Sequence, residues 1–161
     1  MRELRIGGGE IRFDDLRVFT NNEKLTVLDI GNIGRNGTYI CLSGYDGLKE
    51  LVNLEDVLLC GLESEELIVT NPKLKKLSIY GGKCKKIIVD SPAVETVNVF
   101  DNEYISELSF TENCTSINKI LVSDSEQLIV SEIKGIDVLS VDESEEYSHI
   151  FVYEVRSKYR E

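Results

Sequence analysis

Apolar residues recur on a fixed interval through the middle of this chain. Between Leu54 and Val99 the sequence reads LEDVLL, SEELIV, LKKLSI, CKKIIV and VETVNV, hexamers whose fourth residues are Val57, Leu67, Leu77, Ile87 and Val97, evenly spaced along the chain. Two places further on stand Leu59, Val69, Ile79, Val89 and Val99. Successive side chains of an extended strand leave on opposite faces, so each hexamer predicts a short β-strand with one face in and one face out. A globular sheet has no reason to keep a constant interval, whereas a coil of stacked turns does.

The same unit continues on both sides. Upstream, Leu4, Leu16 and Leu28 are equally spaced, followed by a weaker case at Ile40 and Leu42. Downstream come Leu108, Ile120, Leu128, Leu139 and Ile150. Fourteen units result, and pairing them predicts seven turns of about 22 residues, within the range of solenoid repeats. The larger gap before Val57 holds GYDGLKELVN, where Leu48, Leu51 and Val52 predict a short helix over residues 46–53. Most other linkers, such as VTNPK, YGGK, DSPA and FDNE, are short runs of turn-formers. A parallel neighbour needs a longer crossover, so consecutive strands must lie in different sheets. Strands of Leu4, Leu28, Val57, Leu77, Val97, Ile120 and Leu139 would stack as a first sheet, and those of Leu16, Ile40, Leu67, Ile87, Leu108, Leu128 and Ile150 as a second.

The stretch LKKLSIYGGKCKKIIVDSPAVETVNVFDN resembles a leucine-rich repeat of the short-turn kind, with LxxLxL carried twice in each turn. It is most similar to short-turn bacterial forms, and DGLKELVNLEDVLL resembles their helix-to-strand passage. The resemblance implies a β-solenoid: a right-handed coil with two parallel sheets, forming a single domain over residues 1–161. It also implies a non-catalytic scaffold that recognises a protein partner across one sheet face. The asparagine of such repeats is present at Asn102 and Asn113, but Leu62, Gly82, Pro92 and Ser125 take its place elsewhere. A two-sheet solenoid outside that family is the alternative.

Composition narrows the function classes. The 161 residues are 42% hydrophobic and 29% charged, as in an ordinary folded domain, with a net charge of −11. Such acidity disfavours nucleic acid and anionic membrane as partners. No apolar run reaches the roughly 18 residues of a membrane span, and the amino-terminal MRELRIGGGE lacks the apolar core of a signal peptide. A cytoplasmic protein is expected. Cys41, Cys60, Cys84 and Cys114 lack CxxC spacing and read as reduced thiols. No cofactor fingerprint or metal-ligand spacing occurs. His149, the single histidine, sits beside Ser148, and neighbours on a strand point to opposite faces, so the two cannot act as a nucleophile–base pair. Asp142, Glu143, Glu145 and Glu146 lack the alternation and glycine of a calcium loop.

Two surface features stand out. Lys73, Lys75, Lys76, Lys83, Lys85 and Lys86 crowd into one short stretch, as a solvated turn or as a patch for an acidic ligand. On the outward face of the second sheet, Ile68, Ile88, Ile129 and Phe151 form an apolar stripe of the kind that marks contact surfaces. The first sheet offers a rival column in Leu58, Tyr80, Phe100 and Leu121, beside Lys76 and Asn98. Either column would serve a protein partner; the second sheet or an open coil end would serve a second copy of the chain. A carbohydrate-active enzyme on a β-solenoid is the alternative function, and a self-associating assembly protein another.

Overall fold

The computed structural model describes residues 1–6, 12–13, 19, 21–30, 41–42, 47–100, 102, 104–123, 129–130, 136–145 and 148–157; for 12–13, 41–42, 123, 129–130, 136–145 and 148–157 it describes the backbone path. The hexamers form strands as their alternation dictates. β1 (Glu3–Ile6), β3 (Val27–Ile30), β5 (Asp56–Cys60), β7 (Lys76–Tyr80), β9 (Thr96–Phe100) and β11 (Lys119–Ser123) stack in parallel in that order. β6 (Glu66–Val69), β8 (Lys86–Val89), β10 (Glu107–Phe110) and β12 (Ile129–Val130) form a second parallel sheet. The chain is therefore a parallel β-solenoid, with about four turns that place one strand in each sheet.

Its pitch is set by register. Val57 pairs with Leu77 and Leu77 with Val97, while Leu67 pairs with Ile87, so one turn in this part of the coil takes two hexamers with their linkers. All three apolar positions of a first-sheet hexamer are buried at 5% exposure or less, as in Leu54–Val57–Leu59, Leu74–Leu77–Ile79, Val94–Val97–Val99 and Ile117–Ile120–Val122. Like residues thus stand on like residues up the coil, and each side chain is enclosed by the turns above and below. Truncating one such leucine to alanine costs about 2–5 kcal/mol, because stacked strands cannot collapse into the hole.

Tight corners carry the rest of the specification. Gly61, Gly81 and Gly82 have φ of 67°, 62° and 94°, left-handed values that turn the chain out of β5 and β7. At Gly82 a Cβ would lie 2.5 Å and 2.6 Å from the backbone O and N of Leu62 in the turn below. At the opposite corner Asn71 is fully buried, and its Nδ2 donates to the carbonyls of Leu48 (2.7 Å) and Leu51 (3.1 Å). Asn71 thereby adds a second hydrogen bond to carbonyls that already accept from the backbone N–H groups of Leu51 and Leu54, tying this corner to the irregular segment before β5.

Three expectations change. The helix expected over 46–53 is a single 3-10 turn, Leu48–Glu50, because so few residues separate it from β5. The second sheet is divided, since β4 (Cys41–Leu42) pairs only with β2 (Arg12–Phe13) in a ladder of their own. The strand expected at Leu16, like the glycines Gly7–Gly9, falls outside the described residues, and of the unit at Ile40 and Leu42 only Cys41–Leu42 is described, as β4. Seven turns would need the strand of Ile150 in the second sheet. Instead β14 (Ser148–Ser157) lies antiparallel to β11 in the first sheet, and β13 (Ile136–Glu145) pairs antiparallel with β14. Only residues 146 and 147 separate these two long strands, which is enough for a hairpin and too little for a crossover. Strand β13 is the outermost strand of the first sheet among the described residues.

Leu77→Asp puts a carboxylate where no solvent reaches and should abolish the cooperative melting transition. Gly82→Ala should lower stability by about 1–3 kcal/mol from its left-handed φ alone, and by more once the contact with Leu62 is included. Ile68→Thr, at a site 41% exposed, should leave the transition nearly unchanged. Urea denaturation followed by circular dichroism checks all three; a native-like midpoint for Leu77→Asp would overturn the inward assignment.

Candidate functional site

Because Leu77, Ile79, Val97 and Val99 point inward, the residues between them face out of the first sheet. Register arranges them in three rows along the coil: Asp56, Lys76, Thr96 and Lys119; then Leu58, Ser78, Asn98 and Leu121; then Cys60, Tyr80 and Phe100. Leu58 and Leu121 therefore share a row with Ser78 and Asn98, and Tyr80 and Phe100 form a separate one. The correction follows from strand length: β5, β7 and β9 hold three outward positions each, not one.

The middle row is recessed. Ser78 and Asn98 are each only 6% exposed although they belong to the outer face, and Leu58, Tyr80, Phe100 and Leu121 around them are half-buried. Asn98 Nδ2 donates to Ser78 Oγ at 3.0 Å, while Asn98 Oδ1 is buried without a hydrogen-bond partner. Beside them the rings of Tyr80 and Phe100 lie 6.3 Å apart, inclined by 48°, within the range of favourable aromatic pairs. A surface that keeps an unmet, buried carbonyl oxygen in the row next to an aromatic pair is a costly arrangement for a simple solvated face.

The lysine cluster is largely consumed within the fold. Lys75 reaches Glu55 at 2.9 Å, Lys83 reaches Glu63 at 3.8 Å and Lys85 reaches Glu65 at 2.8 Å, each partner lying one turn earlier. Lys86 meets Glu107 of the next turn at 3.3 Å, and Lys73 donates to Asn53 Oδ1 at 2.6 Å. A cationic turn is thus sandwiched between acidic ones. The hydrogen bond and charge of Glu55 hold the Lys75 ammonium above its ordinary range. A raised lysine pKa adds stability that is present through neutral pH and lost only as pH climbs past that raised value, so salt is the practical lever. Of the six lysines, Lys76 alone has no side-chain partner among the described residues; it is exposed.

The stripe expected on the second sheet is only partly assembled. Ile68 is 41% exposed and pairs in register with half-buried Ile88, which pairs with Ser109. Ile129 falls opposite Glu107, two residues short of that row. Phe151 belongs to the other sheet, opposite Val122, because β14 folds back as part of the hairpin. The side chains of Ile129, Phe151 and His149 lie outside the described residues.

An open recess of about 560 Å³ near the first turns is lined by Arg2, Lys24, Glu55 and Lys73 among others, and none of the candidate contact residues borders it. Among the described residues no cluster of His, Cys, Asp and Glu suits a metal ion, and no helix is long and apolar enough to cross a membrane. Cys84 and Cys114 are thiols in the core and Cys60 is a buried thiol at the end of β5, and burial pushes Cys84 up to about 11. The chain matches no protein-family model, no curated protein and no solved structure.

Sequence reasoning missed Asn71 and Ser78. The signal for Asn71 was the recurrence of NP and SP, at Asn71–Pro72 and Ser91–Pro92, one turn apart. Nothing in the alternation marked Ser78 as buried.

Cys60, Cys84 and Cys114 should resist a thiol reagent at pH 8 until the protein is unfolded, and rapid native labelling of Cys84 would contradict its placement. Exchanging charges in two columns, with Lys75→Glu and Lys85→Glu together, should lower the melting temperature at low ionic strength. Most of that loss should vanish in 1 M salt, where the Debye length is about 3 Å; a salt-independent loss would show that packing, not charge, was damaged.

Proposed function

We propose that this chain is a non-catalytic protein-binding module, a leucine-rich-repeat-like right-handed solenoid that recognises a protein partner over the outer face of its first sheet. The observation that carries the reading is the recessed Ser78–Asn98 pair, with an unmet amide oxygen, bordered by Tyr80 and Phe100. Aromatic residues next to a sheltered polar group are the usual makings of a binding hot spot. Repeat-like character is supported by two apolar hexamers in each turn and by the buried Asn71 that pairs backbone carbonyls. The rigid parallel stack suits a scaffold, since its face needs no rearrangement of the backbone to meet a partner.

Self-association is the second reading, and the exposed Ile68 beside Ile88 favours it. Capture of interacting proteins from the native source, with mass spectrometry, separates the two. The pair Tyr80→Ala and Phe100→Ala should remove a specific partner while leaving sedimentation unchanged. The pair Ile68→Lys and Ile88→Lys should leave the partner in place and remove any dimer. Retention of every partner by the folded Tyr80→Ala, Phe100→Ala protein would refute the assignment of this face.

A further inference from the structure

Resting on that reading, we infer that the first-sheet face takes an extended acidic peptide segment, with a carboxylate at Lys76, a hydrogen-bonding side chain at Ser78–Asn98 and an apolar side chain against Tyr80 and Phe100.

The charge requirement comes from Lys76. In a chain of net charge −11, five of the six clustered lysines already have partners within the fold, and Lys76 is the one left exposed on the same face as the aromatic pair. Its register neighbours are Asp56 and Thr96, and Asp56 does not come within ion-pair distance. Lys119, further along the row, lies outside β7, whereas Lys76 stands in line with Ser78 and Tyr80 on one strand, so an added carboxylate there meets an uncommitted ammonium.

The polar requirement comes from the middle row. Asn98 commits its Nδ2 to Ser78 and keeps an unpaired oxygen, while Ser78 accepts that bond and donates to no described residue. Exchanging the two ends of the carboxamide reverses these roles and still leaves one polar group unmet. The pair can therefore give one hydrogen bond and receive another, which is what a hydroxyl or carboxamide side chain offers in return. Asn98 Oδ1 is covered, so engagement must shift Asn98 or the half-buried ring beside it.

Spacing selects an extended segment. Lys76, Ser78 and Tyr80 follow one another at every second position of β7. Alternate residues of any extended chain lie about 6.6–6.8 Å apart. A peptide lying along β7 thus presents an acid and an apolar residue four positions apart to Lys76 and Tyr80, and the side chain of the residue midway between them to Ser78.

The test uses the full chain, ¹⁵N-labelled, titrated with acetyl-Glu-Ala-Ser-Ala-Phe-amide and with acetyl-Lys-Ala-Ser-Ala-Phe-amide. The glutamate peptide should shift the backbone amides of β7 and β9 and the Asn98 carboxamide saturably. The lysine peptide should bind about three- to tenfold more weakly, the range expected for one exposed charge pair made or reversed. Lys76→Glu, at an exposed site that folding does not need, should invert that preference, and Asn98→Leu should weaken both peptides. Equal affinity for the two peptides, or no inversion in Lys76→Glu, overturns the acidic assignment even if Tyr80 and Phe100 prove necessary for partner capture. Shifts confined to Ile68 and Ile88, or no binding by either peptide, overturn it outright. The proposed binding face itself fails only if capture survives loss of both rings, a result that the peptide titration does not decide.

Discussion

The structure depends on vertical registry: each buried apolar side chain must stand on its counterpart one turn below. Val57, Leu77 and Val97 are directly paired through their backbones, and so are Leu59, Ile79 and Val99. A one-residue slip would turn all of these outward and bring Leu58, Ser78 and Asn98 in. The hydrophobic effect therefore enforces the pitch as well as the fold. The corners are subordinate to it, with Gly82 letting two layers approach where a side chain would hold them apart.

Charge repeats the same registry on the outside. Glu55 under Lys75 and Glu65 under Lys85 each stand one full turn below their partners. Exposed pairs contribute little individually. Their arrangement in alternating layers nevertheless favours the register in which each paired lysine meets a carboxylate of the adjacent turn. An apparent basic patch is thereby mostly neutralised inside the fold, and only Lys76 is left for anything outside it.

Periodicity made much of this legible beforehand. Leu54 to Val99 disclosed the strands, the two sheets and the buried positions, because a side chain enclosed by two neighbouring layers must be apolar whatever the details. The hairpin was not legible, since Leu139 and Ile150 alternate in the same way whether their strands run parallel or antiparallel. Direction is decided by the connection, and the short link between β13 and β14 was the available clue. The candidate site was half legible. Tyr80, Asn98 and Phe100 were recognisable as outward residues, but the recess at Ser78 depends on the heights of side chains in adjacent rows, which no single strand records.

The hairpin also changes the profile of the coil's far end. β14 and β13 extend the first sheet past β11, and among the described residues nothing extends the second sheet past β12. At about 4.8 Å per strand, the two walls finish with a difference in height of about 10 Å. A further turn needs both walls level so that it can rest on them at once. The resulting step acts as a coping stone: it leaves the last layer covered on one side and denies a flat seat to any identical layer arriving from solution.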